Sequence, residues 1–326
     1  MSIYGKEVTP LYSNMPRDDA YKACLMNFIR RAYDLEPISL TPAKRGFFGE
    51  TWRLGTAKAH YFLKLDYSAH QSIYAHSFPI IAHLCNHGID FISKIVCTTQ
   101  GELCARFDGA VLGVFDWIDG ENIENDDTKP PEYQMLAQIY AVPAEGLDIP
   151  REDFSSGVAD QFYDQWDRLK RGPANEIVAM FEQSREKITH RAGRLRFFSD
   201  KCKGDTSGFV ITHGDAGGNV LVDGDRYFIV DWDYAMLAPP ERDAWVMCCR
   251  EVWAQELFHN TVKGRGIGYT LRPERLAFYA YHFFFYYLTE FLSAFFCTGS
   301  APGLTEYLIE PGWVEGCFQG ADKIQP

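Results

Sequence analysis

At 326 residues the chain is long enough for two structural units of roughly 150 residues each. Its 46% hydrophobic and 23% charged residues, with 27 glycines and 16 prolines, exclude disorder over most of the length. With 44 acidic against 32 basic side chains the net charge is -12 and the basic positions form no dominant run, which excludes a nucleic-acid-backbone binder and favours a cationic small molecule or plain solubility.

The opening MSIYGKEVTPLY has no basic segment followed by an apolar one, so no secretion signal is expected. Residues 18–33 carry apolar side chains at helical spacing, closed by Pro37. From 38 to 66 the runs RGFFGETWRLG and YFLKLDY predict strands joined by turns; 69–88 returns to a helical pattern, and 91–118, ending in VLGVFDWI, to strands. Together these describe a small α+β lobe. The acidic stretch DGENIENDDTKPPE, 119–132, predicts a surface loop and sets a lobe boundary at 118/119.

Beyond it, 133–140 and 174–198 read as helices. Arg185, Lys187, Arg191, Arg194 and Arg196 lie mostly off the apolar stripe of the second, predicting a solvated basic face. Residues 276–296, LAFYAYHFFFYYLTEFLSAFF, have the length of a membrane span but are interrupted by His282, Thr289, Glu290 and Ser293, so a buried helix is expected. Nine cysteines, without a CxxC pair and mostly inside apolar runs, predict buried free thiols in a reducing cytoplasm. His83 and His87 in HLCNH lack the glutamate of a helical zinc motif and predict ordinary helix histidines.

The segment 209–245, FVITHGDAGGNVLVDGDRYFIVDWDYAMLAPPERDAW, holds the chemistry. Two β-branched runs, 219–222 and 227–230, flank an Asp-Gly turn and predict a hairpin. A turn over 223–226 sets 219 opposite 230; a tighter one on 223–224 sets 231 opposite 216. Either register brings Asp215, Asn219 and Asp231 to one edge, where oxygen ligands can share Mg²⁺ and one carboxylate can stay free. That division of labour suits phosphoryl transfer, in which a cation offsets phosphate charge and a carboxylate accepts the proton of the attacking hydroxyl.

ITHGDAGGNVL followed by YFIVDWDYAMLAPPERDAW resembles the catalytic loop and metal-binding segment of the aminoglycoside phosphotransferase and choline kinase-like family, MLAPPERD being similar to its spectinomycin phosphotransferase branch. The resemblance implies an α+β, two-lobed protein-kinase-like fold: a nucleotide-binding lobe over 1–118, built on a small antiparallel sheet, and a larger, mostly helical catalytic and substrate-binding lobe over 119–326. It implies ATP and Mg²⁺ as cofactors, Asp215 as catalytic base, Asn219 and Asp231 as metal ligands, His213 as a prop of the catalytic loop, and Asp243 as its tie from a helix start. Asp233 is either a second metal contact or a structural acceptor. On the small lobe, Lys64 is expected to meet the α- and β-phosphates, the loop 45–52 with Gly46 and Gly49 to approach them, and the connector 114–118, including Phe115 and Trp117, to face adenine.

Two departures stand out. Only three residues separate Asp215 from Asn219, where the family pattern has four, and the helix after Lys64 lacks a carboxylate to pair with it, leaving Asp66, Gln71, Tyr74 or His76 as substitutes. The implied activity is ATP-dependent phosphorylation of a hydroxyl on a small, cationic molecule such as an aminoglycoside or aminocyclitol, lodged between the lobes, with Trp253, Phe283, Tyr286, Tyr287, Glu290 and Trp313 as lining candidates. The alternatives are a choline, homoserine or sugar kinase, a nucleotide-binding relative with weak or no transfer, and a two-cation phosphoesterase using Asp215, Asp231 and Asp233. No nucleic-acid or membrane partner is expected.

Overall fold

The computed structural model describes residues 17–43, 49–67, 71–123, 125–172, 176–309 and 312–324. Gly46, the opening MSIYGKEVTPLY, and the side chains of Gln71 and Trp313 lie outside the described residues. In chain order the elements are α1 (Asp19–Tyr33), β1 (Ser39–Pro42), β2 (Glu50–Gly55), β3 (His60–Asp66), α2 (Gln71–Asn86), β4 (Ala105–Phe107), β5 (Ala110–Asp116), β6 (Glu121–Asn122), α3 (Lys129–Tyr140), α4 (Gly157–Lys170), α5 (Glu176–Gln183) and α6 (Arg185–Cys202). There follow β7 (Val210–Thr212), β8 (Val220–Asp223), β9 (Arg226–Ile229), β10 (Met236–Ala238), α7 (Glu241–Cys248), α8 (Val252–Gly264), α9 (Pro273–Thr298), α10 (Leu304–Leu308) and α11 (Trp313–Asp322). The arrangement is the mixed α+β one expected, with an antiparallel sheet near the N-terminus and helices after it.

One compact unit runs to Pro150 and takes in Asp215–Met236. Its sheet is antiparallel in the order β1-β2-β3-β5-β4, and a second sheet has the order β6-β8-β9. α1 starts where Asp18 accepts the backbone N–H of Tyr21 at 2.8 Å and stops at Asp34, whose φ is +53°. Leu25 and Ile29 of α1 pack with Leu54, Leu63, Leu65, Leu112 and Val114 of the sheet in one buried cluster. Because side chains alternate along a strand, Lys64 points to the face opposite Leu63 and Leu65.

The acidic stretch 119–132 is more ordered than a surface loop. It contains β6, a 3₁₀ turn over Asp126–Thr128 and the first turn of α3, with Pro130 and Pro131 in that turn, where a missing N–H costs nothing. Glu132 is buried and paired with Lys129 Nζ at 2.5 Å. The prolines that suggested a loop are instead helix starters.

The other unit comprises Arg151–Gly214 and Leu237 onward. α9 is its axis and packs against α4, α6, α7 and α11. Its buried aromatic face includes Phe278, Tyr279, Tyr281, Phe284 and Phe285, as the buried-helix reading requires. No helix among the described residues is long and apolar enough to cross a membrane. The single helix expected over 174–198 is two, α5 and α6, divided at Ser184.

The solvated basic face is corrected in part. Arg191 is buried, its guanidinium 3.7 Å from the Phe318 ring centroid and 2.8 Å from Glu315, and Arg194 donates to the carbonyls of Ala321 and Ile324. Arg185, Lys187 and Arg196 do remain exposed. All nine cysteines are free, but Cys24, Cys97 and Cys297 are exposed and only Cys202, Cys248 and Cys317 are buried, so an apolar sequence neighbourhood overstated their burial.

Candidate active site

β8 and β9 form the expected hairpin in the first of the two registers, with Val220 opposite Ile229 and Asp223 opposite Arg226. The pairing continues to Asn219, whose carbonyl accepts the Val230 N–H at 3.0 Å, so Asp231 follows directly on the residue paired with Asn219. The short loop closes as a 3₁₀ turn over Ala216–Gly218. Asn219 Nδ2 donates to the Asp215 carbonyl at 2.7 Å and to Asp215 Oδ2 at 3.1 Å. Asn122 on β6 donates to the Gly218 carbonyl at 2.6 Å, and Lys129 Nζ stands where a Gly217 side chain would begin, 2.7 Å from an added Cβ. Asn122, Lys129 and Glu132 thus brace the loop, and the sequence carried no local signal for any of them.

Lys64 is buried, with its Nζ 2.8 Å from Asp231 Oδ1 and 2.5 Å from Asp233 Oδ2. An exposed strand lysine is therefore excluded. Burial works against its ammonium, but the two carboxylates outweigh that and hold Lys64 well above the usual lysine range. Burial pushes the Asp233 carboxyl up to about 6, opposed by Lys64 and assisted by Asp231. Of the substitutes considered on or near the helix, Tyr74 stands over the lysine, its ring centroid 5.6 Å from Nζ, and His76 instead reaches the Asp148 carbonyl at 3.5 Å. Asp231 has a φ of +65°, a left-handed conformation uncommon outside glycine and asparagine.

In the other unit His213 is buried, and its backbone N–H and that of Gly214 donate to the two carboxylate oxygens of Asp243 at 3.2 and 2.5 Å. Asp243 lies in the first turn of α7. Gly214 has a φ of +91°, and an added Cβ would fall 2.3 Å from Arg242, which donates to Thr212 Oγ1 at 3.2 Å. A side chain there would be strained by the left-handed φ and would push on the guanidinium.

Gly49 also has a positive φ, +83°, and an added Cβ would meet the Leu65 carbonyl at 2.7 Å, so Gly49 itself lies close against β3. In the connector, Phe115 is buried in β5, the Asp116 N–H donates to the Lys94 carbonyl, and the Trp117 N–H donates to the His60 carbonyl. These backbone donors are occupied by protein, while the Trp117 ring lies 4.7 Å from the Arg53 guanidinium.

Among the lining candidates, Phe283 stacks on Trp245 at 5.1 Å and contacts Tyr286 and Tyr287. Burial pushes the Glu290 carboxyl up to about 6, and Trp253 is 40% exposed on α8. A separate cavity of about 390 Å³, lined by Cys249, Arg250, Glu251, Gly316, Gln319, Gly320 and Lys323, contains no predicted site residue. His83 Nε2 lies 2.7 Å from the Pro143 carbonyl, which fits an ordinary helix histidine.

The donor set suits a hard cation. Among the described residues no three His, Cys, Asp or Glu side chains cluster, but Mg²⁺ takes few protein ligands and fills its shell with water and phosphate oxygens. Asn219 spends its amide N–H on Asp215, so its side-chain oxygen is the atom that could take a cation, and Asp231 is the more exposed of the two carboxylates at Lys64, at 42% against 20%.

A small antiparallel sheet carrying a buried lysine, an Asp-x-Asp pair closing on it from a hairpin, and a mainly helical remainder define a protein-kinase-like phosphotransferase. The chain belongs to the phosphotransferase enzyme family, whose model matches residues 39–279, and it is a kinase acting on a hydroxyl group. Spectinomycin phosphotransferase in complex with ADP and spectinomycin shares the fold with a TM-score of 0.73 at 19% identity, covering 94% of this chain and 99% of its own. An aminoglycoside phosphotransferase from Alicyclobacillus acidocaldarius gives 0.63 at 13%, covering 96% and 98%, and a choline kinase from Streptococcus pneumoniae 0.60 at 12%, covering 94% and 100%. A search among curated proteins found no match.

Proposed function

We propose that the protein transfers the γ-phosphoryl group of ATP to a hydroxyl of a small cationic molecule of the aminoglycoside or aminocyclitol type, with residues 1–118 serving the nucleotide and 119–326 serving catalysis and the acceptor. The observation that carries this reading is the paired geometry of one unit: Asp215 with Asn219 at 3.1 Å, and Lys64 with Asp231 at 2.8 Å. Lys64 neutralises α- and β-phosphate oxygens. Asp215, exposed on its loop, accepts the proton of the acceptor hydroxyl as the acceptor oxygen bonds to the γ-phosphorus and the bond from that phosphorus to ADP breaks. Asn219 and Asp231 hold Mg²⁺, which when bound offsets charge on the phosphates. His213, Gly214 and Asp243 keep the chain entering the loop in one conformation, while Gly46, Gly49, Phe115 and Trp117 shape the nucleotide end.

The acidic balance and the partly open aromatic face of α9 with Glu290 favour a cationic acceptor. A choline-type or other metabolite kinase is the second reading, and the same face supports it, since a quaternary ammonium suits aromatic rings. The free thiols fit a reducing cytoplasm. The deciding experiment is ADP release with ATP, Mg²⁺ and a panel of aminocyclitols, aminoglycosides, choline, homoserine and sugars. Acceptor-dependent release is expected, and Asp215→Asn should lower kcat by about 10²–10⁴ with Tm unchanged. Release with no panel member would overturn the proposal.

A further inference from the structure

We infer that Asp233 is the positioning residue for Lys64, replacing the helix carboxylate that a kinase-type lysine otherwise uses; this rests on the proposed phosphotransferase reading. α2 carries no Asp or Glu anywhere along Gln71–Asn86. Where it meets Lys64 it offers the face of Tyr74, whose buried hydroxyl has no hydrogen-bond partner among the described residues. The counter-charge comes from the hairpin's exit strand, through Asp231 at 2.8 Å and Asp233 at 2.5 Å.

The two carboxylates are not equivalent. Asp231 is 42% exposed and occupies the metal position, so a cation competes with Lys64 for its oxygens; Asp233 is 20% exposed and keeps its contact. Between them Trp232 is buried and donates its indole N–H to the Ile229 carbonyl at 3.1 Å, which fixes the segment that aims both side chains. With Asp231 turned to a cation, a Lys64 lacking Asp233 would be a buried ammonium with no counter-ion, and such a side chain does not hold one position. Asp233 therefore sets where the ammonium stands when phosphate arrives.

The test is a double-mutant cycle read by calorimetric ADP binding, in EDTA and in Mg²⁺, alongside kcat and KM for ATP. Asp233→Asn is expected to weaken ADP binding by about tenfold in Mg²⁺, where Asp231 faces the cation, to weaken it less in EDTA, where Asp231 still pairs with Lys64, and to raise KM for ATP, all three effects vanishing in a Lys64→Ala background. Asp233→Glu should restore most of the loss. If Asp233→Asn does not fold, Tyr74→Glu/Asp233→Asn, which returns a carboxylate from α2, is expected to fold and bind ADP; failure to do so counts against the inference. Effects that persist undiminished in the Lys64→Ala background would give Asp233 a role independent of the lysine, such as a metal ligand, and overturn the inference while leaving the phosphotransferase reading intact. A wild type that binds no ADP under either condition overturns both.

Discussion

Gly214 is held in place by two neighbours: Asp243 takes its N–H, and the Arg242 guanidinium fills the space where a side chain would begin. Gly214→Ala adds a Cβ to a residue at φ +91° and pushes on that guanidinium. A loss of about 2 kcal/mol is expected, seen as a Tm several degrees lower, together with reduced kcat as the chain entering the catalytic loop shifts. An alanine variant with wild-type Tm and kcat would show that the loop has slack. At this scale the sequence was legible where chemistry and spacing coincided. Asp215 and Asn219 meet because the three-residue turn Ala216–Gly218 returns the chain onto itself, and Asp231 follows because hairpin pairing is arithmetic. The lysine's counter-ion was not legible as such. Asp233 stands 169 residues from Lys64 along the chain, and nothing local to either distinguishes a carboxylate that binds an ammonium from one that binds a metal.

Among the elements, α9 was readable from its apolar run, but what its polar interruptions do was not. His282 packs in that helix with its Nδ1 unpartnered among the described residues, and burial, with Arg242 adding to it, depresses its imidazole to about 4. A folded-state value below the unfolded one means the fold favours neutral imidazole: the stability is intact above about pH 6.5 and is lost as pH falls from there towards 4. The loss over that window is expected to reach about 2–3 kcal/mol. His282→Gln should flatten the pH dependence of urea unfolding between pH 6.5 and 4; an unchanged slope would place the acid sensitivity elsewhere. α6 shows the opposite failure. Charge off the apolar stripe suggests solvent, yet guanidinium groups have flat apolar faces, and Arg191 lies against Phe318 because α11 covers a side of α6 that α6 alone does not reveal. α3 was shortened in the sequence reading because Pro-Pro resembles a loop when the helix it opens is not yet known.

At the scale of the whole molecule, the order of a small sheet followed by helices was readable because hydrophobic period changes from two to 3.6 along the chain. The contact grouping that places Asp215–Met236 with the N-terminal strands was not, since it depends on β6 pairing with β8. The consequence is measurable. ADP with Mg²⁺ at about 100 times its dissociation constant should raise the unfolding free energy by about 2.7 kcal/mol. EDTA should remove much of that gain, and Lys64→Ala should remove more. A melting curve indifferent to nucleotide, with and without Mg²⁺, would contradict nucleotide binding by the native protein.

α2 bears no acidic side chain, and this bears on control as well as on chemistry. Enzymes that keep the lysine's counter-ion on a mobile helix can be silenced by swinging that helix aside. Here the anion is carried two residues after Asp231 by a short, tryptophan-anchored peptide, so displacing α2 would leave the pair joined. A catalyst wired this way has no such off-switch: its output is expected to track how much of it is present and how much acceptor it meets.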